Sequence, residues 1–259
     1  MLMKTLAFLP GISQKMEERL QAEGLTDWTR FSRREKIKGI SSSKKILLNH
    51  TLDKARVALL NEDSKWFAEH LPPREHWQLY DEFKDDVLFI DIEIASKRNH
   101  VTVIGISDGL TVKTLMSGMH IDKNTFQRQI SRAKLLVSFN GKSFDIPVLE
   151  KFFGIKIETP HFDARHACAR VGLKGGLKQI EKELGIYRPI ELRGNPVDLW
   201  KAFMASGDRE WLEKLAEYNA YDCLNLKLVC EKIVPILSGA VSSPWQDSSI
   251  PSEENQSSP

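Results

Sequence analysis

Asp91 and Glu93 stand two positions apart at the end of the apolar run Val87 to Ile90. On a β-strand this spacing turns both carboxylates to one face. Two anions placed there suffer desolvation and mutual repulsion unless a cation compensates, and Mg²⁺ prefers carboxylate and water oxygens. A solvated rim, or pairing with basic side chains, is the other way to carry them. A second group, Asn140-Gly141-Lys142-Ser143-Phe144-Asp145, follows the apolar run Leu135 to Phe139. Ligands of open α/β sheets gather at such strand ends. Asp145 sits where a turn becomes a helix and reads either as an N-cap or as a ligand, because a capping bond uses lone pairs that a metal would also want. The third group is Tyr218-Asn219-Ala220-Tyr221-Asp222, in a Leu-rich helix. A spacing of four puts Tyr218 and Asp222 on one face, one turn apart, so a phenol and a carboxylate can address one point. Burial of Tyr218 simply as core is the alternative.

These groups need a scaffold. Val87 to Glu93 reads as a buried strand, Val101 to Ile106 as a second and Thr111 to Met116 as a third. Helical spacing between Asp122 and Ala133 precedes a fourth strand, Leu135 to Phe139. A helix through Val148, Leu149 and Phe152 follows, then a short strand from His161 to Asp163, with Asp163 expected to support the site or cap a helix. The remainder is helical, from Gly176 to Leu184, Val197 to Ala205 and Arg209 to about Leu237. Three consecutive strands, then strands separated by helices, argue for an α/β fold with a mixed sheet covered by helices. Upstream, a Pro10-Gly11 turn joins short helices, one of them from Gln14 to Ala22, and a helical pattern from Leu47 to Phe67 ends at Leu71-Pro72-Pro73. A connector follows, packing through Trp77, Leu79, Tyr80 and Phe83. After Gly239 the Ser, Pro, Glu and Gln content describes a disordered tail. The expected organisation is a helical hairpin and basic segment over 1–84, an α/β domain over 85–237 and a tail over 238–259.

With 41% hydrophobic and 28% charged residues, the chain has the mixture of a soluble globular protein and lacks a run apolar enough to span a bilayer. No secretion signal is read at the start, where Pro10 and Gly11 interrupt a short apolar stretch. Cys168, Cys223 and Cys230 are odd in number and lack metal-ligand spacing, which suits reduced thiols in the cytoplasm and argues against structural zinc. A net charge of +2 does not announce a polyanionic partner, but its distribution is uneven. Between Trp28 and Arg56 basic residues, among them Arg33 and Arg34, greatly outnumber acidic ones. Such a run either follows a phosphate backbone or forms a solvated face. The stretch Gly172 to Lys178 lacks P-loop spacing and makes either a plain turn and cap or a helix start whose amides, with Lys174 and Lys178, meet a phosphate. His161 and His166 read as surface or hydrogen-bonded residues rather than ligands.

In order, the Asp-x-Glu, Asn-x-x-x-Phe-Asp and Tyr-x-x-x-Asp groups resemble the motifs of the DEDDy 3′ to 5′ exonucleases. His161-Phe162-Asp163, Gly175-Gly176-Leu177-Lys178-Gln179-Ile180-Glu181, Leu184-Gly185-Ile186 and Tyr218-Asn219 are similar to the predicted exonuclease family that includes the bacterial YprB proteins. The resemblance implies a ribonuclease H-like α/β domain in which Asp91, Glu93, Asp145 and Asp222 hold two divalent ions, Mg²⁺ or Mn²⁺, and Tyr218 positions the attacking water. It implies nucleic acid as partner, DNA favoured over RNA, with Asn140, Lys142, Lys174 and Lys178 as substrate contacts. Leu9-Pro10-Gly11-Ile12 resembles a helix-hairpin-helix turn, so that Gly11, Arg33 and Arg34 would meet the phosphate backbone. Two residues depart from the pattern. Ile94-Ala95-Ser96-Lys97 replaces a Thr-rich turn ending in Gly, and Ser13 stands at the second Gly of the hairpin motif. A catalytically silent nucleic-acid-binding adaptor and a structure-specific endonuclease are the competing readings.

Overall fold

The computed structural model describes residues 1–95, 100–119, 121–193 and 195–245. Ser96 and Lys97, and the part of the expected tail beyond Trp245, lie outside the described residues. Three antiparallel strands, β1 (Val87–Ala95), β2 (His100–Ser107) and β3 (Val112–Met116), form a meander. On the far side of β1, β4 (Leu135–Ser138) and β5 (His161–Asp163) add in parallel, giving the order β3-β2-β1-β4-β5. The mixed α/β sheet expected from the sequence is therefore present. β4 pairs with β1 only from Val87 to Phe89, and β1 runs on beyond it. A register shift between Glu93 and Ile94 marks the far end of the β1–β2 ladder.

The N-terminal helices begin on side-chain caps: Ser13 for α1 (Gln14–Ala22), Asp27 for α2 (Trp28–Arg33), Ser41 for α3 (Ser42–Leu60) and Asp63 for α4 (Ser64–His70). Each oxygen satisfies an amide that the helix leaves unpaired. The single helical pattern expected through Phe67 is thus two helices, parted where Glu62 takes a φ of 52° and Asp63 starts α4. The helix expected before the Pro10-Gly11 turn is one 3-10 turn, Leu2–Lys4, so a true helix flanks the turn only on its α1 side. Gly11, with a φ of 70°, supplies the conformation the turn requires, and Ser13 is the α1 cap. The connector contains a short helix, α5 (Trp77–Glu82).

Alternation along β1 divides two apolar layers. Ile90 and Ile92 face a cluster with Phe126 and Ile130 of α6 (Lys123–Ile130) and Val148 and Leu149 of α7 (Asp145–Phe153). Val87 and Phe89 face the larger core, which takes in α8 (Ala164–Arg170), α9 (Leu177–Glu183) and the long α11 (Arg209–Leu237). Between α9 and α11 lies α10 (Pro196–Ser206), packed on α11 and β1. The larger core also includes Leu6, Trp28, Leu48 and Phe67, so the N-terminal helices share it. Cys168 on α8 and Cys223 and Cys230 on α11 are free thiols buried in it. Past Gly239, Ser243 Oγ donates to the Val171 carbonyl at 2.6 Å and Trp245 packs on the core, where an indole gains from burial.

Candidate metal centre

Residues 91 and 93 follow Val87 and Phe89 in the alternation and so face α11, where Tyr218, Asn219 and Asp222 are all buried. One carboxylate oxygen from each of Asp91, Glu93 and Asp222 lies within 4.8 Å of the others. Asn219 fixes the first of these: its Nδ2 donates to Asp91 Oδ2 at 2.8 Å and to the Asp91 carbonyl at 3.1 Å. The approach depends on Gly105, the β2 partner of Asp91, since a Cβ there would collide with Asn219 Oδ1 and stand 2.7 Å from Cys223 Sγ.

Asp145 stands beside this triad but outside the 4.8 Å group. It is the first residue of α7, whose N-cap Phe144 supplies no side-chain bond, so the capping role is not the one it plays. Its Oδ1 instead accepts from the Ile92 amide at 3.1 Å, standing in for β4 where that strand no longer accompanies β1. Asp163 does what was expected of it twice over. Its Oδ1 caps α8 through the Arg165 amide and accepts from the Asn140 amide, and its Oδ2 accepts from the Lys142 amide, bracketing the loop before Asp145.

Burial and the neighbouring carboxylates push these acids upward. Asp91 is held well above the usual carboxylate range, first by desolvation and then by Asp222, Asp145 and Glu93. Glu93 rises to about 8 for the same reasons, Asp145 to about 7, chiefly by burial, and Asp222 to about 6, where Arg188 moderates the effect of burial. The donors are all carboxylate oxygens, clustered and short of compensating charge, which is the chemistry a hard divalent cation satisfies. The Tyr218 ring is covered by Lys178 Nζ, 4.4 Å from its centroid, and by the Arg188 guanidinium at 5.5 Å. Burial, Asp222 and Glu93 hold its phenol above the usual tyrosine value.

A family model described as the RNase H superfamily matches residues 88–234, more than half of the chain and every residue of the centre. The chain belongs to the RNase H superfamily. Among solved structures, a family B DNA polymerase from the hyperthermophilic archaeon Pyrobaculum calidifontis is 18% identical, with a TM-score of 0.46 over 58% of this chain. The match covers 25% of that polymerase chain. No curated protein matches.

Of the substrate contacts expected from the sequence, Lys178 lies beside the carboxylate cluster, against the Tyr218 ring. Asn140 takes a φ of 66° and its Oδ1 accepts from Arg165 at 2.7 Å, while Lys142 and Lys174 are exposed. Gly11, Arg33 and Arg34 are exposed on the N-terminal segment, where Lys44 Nζ donates to the Gly11 carbonyl at 3.2 Å. His161 is half-buried and bonded to Ser138 Oγ at 2.7 Å, and desolvation drives its pKa down to about 4, which fits a hydrogen-bonded residue rather than a ligand. Sequence reasoning missed Asn219 as the partner of Asp91, although it lies inside the quoted Tyr218-Asn219 pair. It missed Arg188 altogether, since one Arg before Pro189 in a turn carries no pattern.

Proposed function

We propose that this member of the RNase H superfamily is a metal-dependent nuclease that hydrolyses phosphodiester bonds from 3′ ends, with DNA favoured over RNA. The observation that carries the reading is the convergence of Asp91, Glu93 and Asp222 oxygens within 4.8 Å on the α11 side of β1. Those three, with Asp145 beside them, would hold two ions, Mg²⁺ or Mn²⁺. Bound there, divalent ions would stabilise the attacking and leaving oxygens of the displacement.

The chain's own residues do the rest. Asn219 holds Asp91 in one rotamer. Tyr218, one turn before Asp222 and with its ring under Lys178, would orient the attacking water through its hydroxyl. Lys178 would then meet a phosphate oxygen. Clustered acids repel a polyanion until cations reverse the local charge, so substrate binding itself depends on metal. The test is a digestion ladder with 5′-labelled single-stranded and duplex DNA and RNA in Mg²⁺, Mn²⁺ or EDTA. A ladder shortening from the 3′ end only with metal is the expected result. Metal-independent products, or none under any condition, would overturn the reading, and internal cuts would move it to an endonuclease.

A further inference from the structure

Asp222 is not alone on its free side. Arg188, in the turn after α9, is 4% exposed, and its Nη2 donates both to Asp222 Oδ1 and, at 2.6 Å, to Glu181 Oε1. Its Nε donates to Glu181 Oε2 at 2.8 Å, so Glu181 grips the guanidinium as a fork. Glu181 is itself 2% exposed and accepts from Asn225 Nδ2 at 3.0 Å. Asn225 also donates to the Tyr187 carbonyl at 3.2 Å, tying the turn that carries Arg188 to α11. Tyr218, Asp222 and Asn225 thus lie along one face of α11 at helical spacing, and Arg188 touches the system of all three. The remaining nitrogen, Nη1, is buried with no hydrogen-bond partner. A guanidinium fixed so firmly, with one donor left unsatisfied, is not there for simple packing, since an unpaired buried donor is costly.

We propose that Arg188 is a positioning residue that acts as a built-in counter-cation of Asp222, and that the Glu181–Arg188 pair sets how tightly the centre binds a divalent ion. The inference rests on reading the centre as a metal site. Arg188 holds the Asp222 carboxylate in place and offsets its charge in the protein without metal. An incoming ion shares Asp222 with it. Glu181 tempers the competition by neutralising the guanidinium from behind. The two residues therefore act on metal affinity with opposite signs. Removing the positive charge makes the site more anionic and strengthens binding, whereas removing the negative charge leaves Arg188 to claim Asp222 more strongly. A purely structural pair would behave otherwise, with both substitutions loosening the site and weakening binding together.

The experiment measures Mn²⁺ affinity of the full chain by the loss of free-ion paramagnetic resonance signal, with folding checked by circular dichroism. Arg188→Gln is expected to tighten Mn²⁺ binding about tenfold, the effect of one pK unit, and Glu181→Gln to weaken it by a similar factor. The double variant should return close to wild type. Unchanged or weaker binding in a folded Arg188→Gln protein overturns the proposal, as does tighter binding in Glu181→Gln. If Arg188→Gln does not fold, the double variant decides: binding tighter than in Glu181→Gln alone supports the proposal, and binding no tighter than in Glu181→Gln overturns it. Asp91→Asn separates the two levels of the argument. Wild-type binding that Asp91→Asn weakens, together with an unmoved Arg188→Gln, sinks the role of Arg188 and leaves the metal centre standing. No Mn²⁺ binding by wild type sinks both.

Discussion

At the scale of single residues, the centre is a set of acids held together against their mutual repulsion. Replacing Asp91 or Asp222 with Asn removes a proposed charged ligand at nearly constant volume. Turnover should fall about a hundredfold or more, because metal stabilisation of a transition state amounts to several kcal/mol. The melting temperature without metal should hold for Asp222→Asn, which also loses an ion pair to Arg188, and rise for Asp91→Asn. Calorimetry in EDTA checks this, and near-wild-type turnover at saturating Mn²⁺ would remove the two acids from the mechanism. The pH dependence follows from the same crowding. Folding lifts Asp91, Glu93, Asp145 and Asp222 above the carboxylates of an unfolded chain, so the folded state binds protons that the unfolded chain releases. That contribution is complete near pH 4 and is lost as pH rises through about 6 to 8, so the melting temperature in EDTA should decline across this window. With Mg²⁺ the trend should reverse, since binding needs the deprotonated acids. Tyr218→Phe should lower turnover about tenfold or more with Mn²⁺ affinity intact; a change in thermal stability alone would return Tyr218 to the core.

At the scale of elements, the site depends on how closely α11 lies on β1 and β2. Gly105→Ala places a methyl against Asn219 and Cys223, and should destabilise the fold by about 1–3 kcal/mol while loosening the hold on Asp91. Urea unfolding and Mn²⁺ binding measure the two effects, and a variant normal in both would show that α11 moves aside freely. The sequence made this level legible where periodicity is local. The strands β1, β2 and β4 and the helix α11 follow from apolar runs and periodicity, and Asp91, Glu93 and Asp222 from their spacing. What could not be read depends on contacts between distant segments. The break between α3 and α4 turns on Glu62 entering the left-handed region, and α8 is too short to show a period. Asp145 bonds an amide 53 residues away, and Arg188 meets Asp222 across 34. No local pattern encodes such partners.

At the scale of the molecule, the basic N-terminal segment shares its core with the superfamily domain. Lys65 pairs with Glu158 at 3.2 Å, and the His76 ring bridges the Ala68 and His161 carbonyls. Deleting residues up to Pro73 would strip Leu6, Trp28 and Phe67 from that core and should unfold or aggregate the protein rather than reveal a binding role. Charge substitutions are the cleaner probe. Arg33→Glu with Arg34→Glu changes only exposed groups, so stability should stay within about 0.5 kcal/mol. If these residues follow a phosphate backbone, DNA affinity should fall and its dependence on salt should become shallower. Equal salt slopes for the variant and the parent, measured with the Asp91→Asn background, would make the segment a purely structural one.

The buried thiols offer a clock. Cys223 and Cys230 lie on α11 with their thiols driven well above the ordinary cysteine value by burial, so an alkylating reagent reaches them only when that helix lifts off the sheet. The rate of modification then counts spontaneous openings of the molecule. A cation that binds only the closed form lengthens the interval between openings by the factor one plus its concentration over Kd. Occupancy of the carboxylate centre could in this way be timed in a protein that has never been given a substrate.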